Sequence, residues 1–240
     1  MIYDMHCHLL PRVDDGSEDM EQTKEMLRMA DLEGIDIIVA TPHFHCGGSE
    51  PDAEKLKEKY HFVRNAWKEY GEGKELLLGS ELFFSDGLTD ALQEGRALTL
   101  HGTRYILVEF PTYVDFPYLL RAVQSLRYAG YRPIVAHVER YGQVTKPIQF
   151  QELRDAGAHL QVNVSTVLGQ HGRRVRHRMI KLLKSGLIEF DGSDAHDTKE
   201  RRPVMRECRQ YLNKKLGAAQ TRQILEKNPG AIFRGEKLHG

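Results

Sequence analysis

Two histidines near the amino terminus have the spacing of a metal-binding pair. His6 and His8 are separated by one residue. Alternate side chains of an extended strand share one face, so both imidazoles are expected to point the same way. Pro11 and the acidic turn with Asp14 and Asp15 end this strand and place carboxylates just beyond it. The stretch predicts a metal site, although a His-x-His pair alone is also typical of ordinary strand ends.

Six further short apolar runs follow, and most end near a histidine or a carboxylate. The seven predicted strand ends fall near positions 7, 43, 81, 109, 137, 163 and 194, which are 26 to 38 residues apart. A barrel of alternating parallel strands and helices uses about 31 residues for each unit, and its active site lies at the carboxyl ends of the strands. The candidate metal ligands are His6, His8, Asp15, His43, Glu81, Glu109, His137, Asp194 and His196.

Helical patterns fill the intervals between these strands. Ser17 is predicted to be the N-cap of a first helix, and a charged helix is expected over 51–70. Further helices are expected over 116–128, over the basic stretch 173–183 and within 202–234. Seven strand units rather than eight predict an α/β fold, a distorted TIM-like (β/α)7 barrel. The sixth strand, 158–163, carries no obvious ligand.

Composition narrows the class of protein. Lysine plus arginine equals aspartate plus glutamate at 34 each, so no global charge favours nucleic acid or an anionic membrane. The three cysteines, Cys7, Cys46 and Cys208, lack Cys-x-x-Cys spacing, which indicates a reducing compartment. Asp4 and His6 interrupt any signal-like segment, and no run approaches the ~18 apolar residues of a membrane span. We expect a soluble cytoplasmic protein.

The number of candidate ligands predicts a cluster of ions. Five imidazoles and four carboxylates exceed what one ion accepts, so two or three ions must share them. Ions bridged by a carboxylate about 3.5–4 Å apart are typical of phosphate ester hydrolysis. Three divalent ions, these carboxylates and a bridging hydroxide leave a charge of about +1, which attracts an anion. Oxygen and nitrogen ligands suit manganese, iron or zinc, and the carboxylate content favours manganese.

The motifs together resemble those of the polymerase and histidinol phosphatase (PHP) superfamily. The stretches LPRVDDGS, ATPHFH, AHVERY and GSDAHDTKERRP are similar to the manganese-dependent bacterial protein-tyrosine phosphatases of capsule and exopolysaccharide loci. The resemblance covers nearly the whole chain. It implies the PHP fold, a single metallophosphatase domain over 1–240, and two to three Mn2+ ions, with iron or zinc as alternatives.

The resemblance also implies a role for individual residues. It places one ion on His6, His8, Glu81 and Asp194, a second on Glu81, Glu109 and His137, and a third on Asp15, His43 and His196. Asp15 is preferred to Asp14 because the family's ligand directly precedes glycine, although spacing does not separate adjacent aspartates. Arg140 and Arg202 are expected to bind phosphate oxygens as planar forks, whereas Arg201 is expected to matter less. The alternative is that these arginines are ordinary surface residues.

Several features have two interpretations. The sequence departs from the family's usual proline at Val138 and asparagine at Tyr141. Aromatic residues over 110–116 either line a pocket for a phenyl ring or pack in the core. The basic run 173–178 either meets an acidic peptide or is a solvated helix face, and the solvated face is favoured. The other histidines off the strand ends are interpreted as structural or exposed: His61, His101, His159, His171, His177 and His239.

The leading interpretation is a metal-dependent phosphomonoester hydrolase, a protein-tyrosine phosphatase in which a metal-bound hydroxide attacks phosphorus. The resemblance implies that its substrate is the cytoplasmic tail of a membrane tyrosine kinase. A thiol-based phosphatase is excluded because its Cys-x5-Arg loop would need arginine where the chain has Val13, Asp52 and Lys214.

Three other functions remain open from the sequence. A small-molecule phosphatase, such as one acting on histidinol phosphate, would use the same ligands. A nuclease or proofreading module is disfavoured by the zero net charge and by the lack of a basic groove with interleaved aromatics. A silent metal-binding scaffold is expected to lack part of the ligand set. We therefore expect no nucleic-acid partner and no membrane insertion, while an oligomer remains open.

Overall fold

A computed structural model describes residues 1–236 and 238, so His239 lies outside the described residues. The strands are β1 (Tyr3–Cys7), β2 (Ile37–Ala40), β3 (His43–Phe44), β4 (Glu75–Leu78), β5 (Glu81–Phe83), β6 (Tyr105–Glu109), β7 (Arg132–Val135), β8 (His159–Asn163) and β9 (Phe190–Gly192). The α-helices are α1 (Met20–Leu32), α2 (Ala53–Lys68), α3 (Leu88–Gln93), α4 (Phe116–Tyr128), α5 (Pro147–Asp155), α6 (Val164–Leu168), α7 (Arg173–Lys184), α8 (Arg206–Leu216), α9 (Ala218–Arg222) and α10 (Asn228–Phe233).

The strands pair in parallel around a curled sheet. β1 pairs with β2 and β2 with β4, while β3, β5, β6, β7, β8 and β9 pair in that order. Two residues separate β2 from β3 and two separate β4 from β5, so each pair occupies one strand position. Beyond β9, Cys7 pairs with Ala195, and the His8 amide donates to the Ala195 carbonyl at 2.8 Å. Seven strand positions thus return to their start, which confirms the predicted α/β, distorted TIM-like fold.

Two breaks in this sheet help to assemble its carboxyl end. Pro42 separates β2 from β3 and has no backbone N–H for a strand ladder. Gly79 lies between β4 and β5, where an added Cβ would be 2.7 Å from the Leu100 side chain. After the breaks, His43 and Glu81 pair in register across β3 and β5. Two candidate ligands therefore lie side by side.

A β-bulge directs the first histidine pair. Asp4 is opposite Ile38 and Cys7 is opposite Ala40, so two residues of β1, Met5 and His6, lie opposite one residue of β2. A bulge re-aims the side chains that follow it. Met5 packs in the apolar cluster inside the barrel, whereas Cys7 belongs to the larger core between sheet and helices. His6 and His8 are both fully buried at the carboxyl end.

The helix boundaries differ locally from the prediction. The predicted Ser17 N-cap is wrong, because the Asp19 side chain accepts from the Gln22 amide at 2.9 Å and α1 begins at Met20. Ser17 is buried and bonds the Thr23 hydroxyl at 2.8 Å instead. α2 is shorter than 51–70, because Asp52 caps it. In the described part of the chain, no helix has both the length and the apolar character to cross a bilayer.

Candidate metal centre

All nine candidate ligands converge at the carboxyl end of the barrel. Three groups have ligand atoms that lie within 4.8 Å of one another: His6, His8, Glu81 and Asp194; His43, Glu81 and Glu109; and His8, Asp15, His43 and His196. The ninth residue, His137, places Nε2 2.7 Å from Glu81 Oε1 and 3.6 Å from Glu109 Oε2. The first group has the same members as the set that the resemblance implied for one ion. The other two groups differ from that assignment. His8 and His43 each belong to two of the three groups, whereas the assignment from resemblance gives each of them to one ion.

Glu81 lies at the centre of the cluster. Its Oε2 is 3.0 Å from His6 Nε2, 3.2 Å from His8 Nε2 and 3.1 Å from His43 Nδ1. Its other oxygen faces His137, so one buried carboxylate contacts four imidazoles. Burial raises the pKa of Glu81, but the charges and hydrogen bonds of these imidazoles outweigh it and hold the pKa well below its usual range.

The orientation of two imidazoles shows that this cluster fits a cation. His8 Nδ1 lies 2.7 Å from Asp14 Oδ2, a carboxylate that can only accept, so Nδ1 carries a hydrogen and Nε2 is the nitrogen that can offer a lone pair to a metal ion. His6 Nδ1 likewise faces Gln161 Oε1 at 3.5 Å. The two Nε2 atoms are 3.0 Å apart. Two lone pairs at this distance repel each other unless a proton or a metal ion lies between them.

The pKa shifts of the imidazoles also indicate a site that attracts cations. Burial lowers the pKa of His8 and His137, but neighbouring carboxylates outweigh it and raise each pKa to about 10. Burial and the nearby His8 lower the pKa of His196 to about 4. Among the described residues, His137 Nδ1 and His196 Nε2 have no hydrogen-bond partner. The carboxylates thus create a field that attracts cations, and the donors suit manganese, iron or zinc.

The backbone is strained at two candidate ligands. His137 has φ 31° and Asp194 has φ 53°, in the left-handed region that non-glycine residues rarely adopt. The His137 amide donates to Gln161 Oε1 at 2.7 Å, and the Asp194 amide donates to the His6 carbonyl at 2.8 Å. Such strain persists where surrounding contacts hold it, and it concentrates at functional sites.

Strand β8 contributes two amides that the sequence interpretation missed. Gln161 contacts both His6 and His137, and Asn163 Nδ2 donates to Asp194 Oδ2 at 2.6 Å. These side chains orient ligands without binding metal, which is a common arrangement around metal sites. The sequence prediction rested on imidazole and carboxylate side chains and so did not include these amides. Their two-residue spacing on a buried strand was the available signal.

The structure separates the adjacent aspartates by their contacts. Asp14 Oδ2 accepts from His8 Nδ1 and from the His43 amide at 2.9 Å. Asp15 Oδ1 lies 3.4 Å from both His43 Nε2 and His196 Nε2. Asp14 therefore orients histidines, while Asp15 faces the cluster.

Comparison with known protein families identifies the family of this chain. The family described as "Capsular polysaccharide synthesis, CpsB/CapC" matches residues 2–234. The chain belongs to the CpsB/CapC family.

Relatives in this family are similar over nearly their full length. Tyrosine-protein phosphatase YwqE of Bacillus subtilis is 30% identical over 240 residues, which cover 98% of this chain and 92% of YwqE. Tyrosine-protein phosphatase CpsB of Streptococcus pneumoniae is 28% identical, with 96% of this chain and 97% of CpsB covered.

Solved structures agree with these similarities. A chain from the crystal structures of YwqE and CpsB, described as unique metal-dependent tyrosine phosphatases, has a TM-score of 0.90 at 29% identity, with 99% of this chain and 96% of that chain covered. The phosphotriesterase homology protein from Escherichia coli has a TM-score of 0.65 at 12% identity, covering 97% of this chain and 98% of that one, a likeness of fold alone.

Two arginines reach the cluster of candidate ligands, Arg140 from a 3-10 helix (Val138–Arg140) and Arg201 from the loop between β9 and α8. Arg140 Nη1 lies 3.9 Å from Asp194 Oδ2. Arg201 Nη2 donates to Asp194 Oδ1 at 2.9 Å, and its other terminal nitrogen lies 3.9 Å from Asp15 Oδ2. Arg202 lines the same cavity of about 640 Å3, and within the described chain it forms no ion pair. Arg201, expected to matter less, thus has the closer contact.

The positions that depart from the family's usual residues face the core. Val138 and Tyr141 are fully buried. The Tyr141 hydroxyl donates to the Ala136 carbonyl at 3.1 Å and accepts from the Phe110 amide at 3.2 Å. Phe110 is itself buried and stacks on Phe84 at 5.3 Å. These residues support the strand ends from behind and do not line the cavity beside Arg140.

Proposed function

We propose that this CpsB/CapC chain is a metal-dependent protein-tyrosine phosphatase. The observation that carries the proposal is the shared carboxylate Glu81, which two of the three ligand groups have in common beside a cavity lined by three arginines. The names of the relatives support the substrate class. The nine candidate ligands would hold two to three ions, with manganese preferred.

The proposed ions, when bound, activate water and neutralise charge on the phosphoryl group. The chain's own residues position the reactants. Arg140 and Arg201 offer guanidinium donors at the cavity wall for phosphate oxygens, with Arg202 as a further donor at the same cavity. Asn163 and Arg201 together fix both oxygens of Asp194. A tyrosine phenolate leaves readily, so the proposal needs no strong general acid.

The cysteines are unsuited to a covalent route. Cys7 and Cys208 are buried, and burial raises the pKa of each thiol well above its usual value. The nucleophilic form is the thiolate, which these environments disfavour. Cys46 is partly exposed but has no arginine at the spacing a thiol phosphatase requires. The geometry therefore favours hydrolysis without a cysteine nucleophile.

The proposed partner is a phosphotyrosine protein, namely the cytoplasmic tail of a membrane tyrosine kinase. The family description, which names capsular polysaccharide synthesis, supports this partner. We also propose a cytoplasmic location, which the free cysteines of the described chain favour. A single domain over 1–240 stays a prediction, supported by the family match over 2–234.

Purified protein should be assayed on a phosphotyrosine peptide, on histidinol phosphate and on single-stranded DNA, each with manganese or with a chelator. The proposal predicts the highest kcat/KM on the peptide, abolished by chelator and restored by manganese. Preference for histidinol phosphate would indicate a small-molecule phosphatase. Degradation of DNA would indicate a nuclease.

A further inference from the structure

A basic groove runs between helices α7 and α8 on the outside of the barrel. It has a volume of about 520 Å3. Its cationic lining residues are Arg173, Arg176, Lys181, Lys184 and Lys215. α7 carries six arginines and lysines and no acidic residue. This is a strong local concentration of positive charge in a chain whose formal net charge is zero.

The groove's cations are unpaired within the described residues, since none lies within 4 Å of a carboxylate. Some surface cations outside the groove are paired: Arg28 bonds Glu25 at 2.7 Å, and Arg96 bonds Glu50 at 2.7 Å. The groove differs because it brings five cations together with no carboxylate partner among the described residues, so their charge is available to a bound ligand.

The floor of the groove is suited to holding a chain segment. Tyr211 of α8 and Ile180 of α7 are half-buried there. Arg176 and Lys215 each place their charge 5.5 Å from the Tyr211 ring. These contacts hold two cations in place over an aromatic surface. A concave site with an apolar floor and charged rims fits an extended peptide better than a flat lipid surface.

The groove adjoins the cavity at the metal centre. Arg176 in the groove donates to the carbonyl of Leu168, a residue that lines the cavity, at 3.3 Å. On the facing helix, Glu207 lines the cavity, and Tyr211 lines the groove one turn later. The cavity and the groove are therefore neighbours, within reach of one extended peptide.

We propose that the groove between α7 and α8 binds an acidic segment of the same protein whose phosphotyrosine occupies the cavity. The proposal rests on the phosphatase function above and adds a determinant of substrate choice. It reverses the sequence interpretation of this basic run as a solvated face. The deciding observations are the unpaired charges, the concave floor and the contact with the cavity.

The test compares two phosphotyrosine peptides of equal length. One carries a run of aspartate and glutamate, and the other carries asparagine and glutamine at the same positions; each is made with the run before or after the phosphotyrosine. The groove variant is Lys181→Glu with Lys184→Glu. The matched control is Arg174→Glu with Lys214→Glu, which reverses two exposed charges on the same helices outside the groove.

The parent should hydrolyse the acidic peptide with a KM on the order of tenfold below that of the neutral one at low salt. This preference should collapse in the groove variant and persist in the control. Equal KM values for both peptides in the parent, or equal losses in control and groove variants, would overturn the proposal.

A binding assay separates failure of the groove from failure of the enzyme. Fluorescence anisotropy with the unphosphorylated acidic peptide should show binding by the parent and weakening of about tenfold in the groove variant. If neither phosphopeptide is hydrolysed but this binding holds, the phosphatase function fails and the groove stands. Sedimentation of the parent, but not the groove variant, with phosphatidylserine vesicles, without discrimination between the peptides, would instead assign the groove to membranes.

Discussion

Buried carboxylates lie at both ends of strand β9, and their environments are opposite in character. Before β9, Glu189 contacts Arg154, bonds His159 Nδ1 at 2.6 Å and accepts from the Leu160 amide at 3.1 Å. After β9, Asp194 lies 3.5 Å from His6 Nε2 in a cluster of nine histidines and carboxylates. Both ends contain imidazole beside carboxylate, so residue types alone do not distinguish them.

The difference lies in whether the charges are balanced within the protein. At the amino end, one carboxylate has an arginine and a histidine as direct partners. At the carboxyl end, the Nε2 atoms of His6 and His8 face each other, two ring nitrogens have no hydrogen-bond partner within the described chain, and two residues have left-handed backbones. In a structural ion pair the charged groups are paired with each other within the protein, whereas the donors of a metal centre point toward a common space that an ion can occupy.

The largest expected effect comes from removing one carboxylate at each end. Glu81→Gln should lose more than one metal ion and lower kcat by on the order of a thousandfold or more, because this side chain is shared between ligand groups. Glu189→Gln should keep metal and activity while its thermal midpoint falls. Elemental analysis, peptide hydrolysis and thermal unfolding of both variants check this contrast. Equal metal loss in the two variants would contradict the distinction between a metal-binding and a structural carboxylate.

A third buried carboxyl group, that of Asp191, lies within β9 between Glu189 and Asp194 and has neither a cation nor a cluster of imidazoles as its main partner. Asp191 is buried near Asp4, and its main partner is the Cys208 thiol at 3.4 Å. Burial raises the pKa of Asp191 to about 7. Its folded pKa exceeds the unfolded value of about 3.9, so its contribution to stability is complete below pH ~4 and is lost as pH rises through ~7.

Asp191→Asn should therefore be more stable than the parent above pH 7, by up to roughly 4 kcal/mol. Below pH ~4 this gain should vanish, because the parent's carboxyl group is then neutral in both states. Urea unfolding of both proteins across this range measures the difference. A difference that does not change with pH would show that Asp191 is not neutral in the folded protein.

A smaller effect is expected from the arginines at the carboxyl end. Arg140→Ala and Arg201→Ala should each lower kcat/KM about 10- to 150-fold, the value of a charge-assisted hydrogen bond of roughly 1.5–3 kcal/mol. Metal content should change little, because neither residue is a proposed ligand and Asn163 still holds Asp194 Oδ2 in either variant. Arg202→Ala should have the weakest effect, since it has no contact with Asp194. A larger loss in Arg202→Ala than in Arg201→Ala would instead favour the assignment made from resemblance, in which Arg202 binds phosphate.

The sequence predicted the features that depend on spacing. Strand ends near residues 43, 81, 109 and 137 could be located from apolar runs, and the closing of a parallel sheet brings such ends together. His159 also fits, since it begins its strand and lies away from the cluster.

Features that depend on contacts across the fold were not predictable. The roles of Gln161 and Asn163 follow from neighbours that other strands supply. Whether Arg201 or Arg202 binds phosphate stays a prediction, because two adjacent arginines give no periodic signal for the course of their loop. Ser17 and Asp19 are both good N-caps, and the burial of Ser17 decided between them.

The most direct test of the metal centre is a titration. Metal-free protein receives increasing equivalents of Mn2+ while hydrolysis of the phosphotyrosine peptide is recorded. The account predicts negligible hydrolysis without metal and a rise that ends at two to three equivalents for each chain. Full activity in the chelated protein, or saturation at one equivalent, would contradict a shared cluster centred on Glu81.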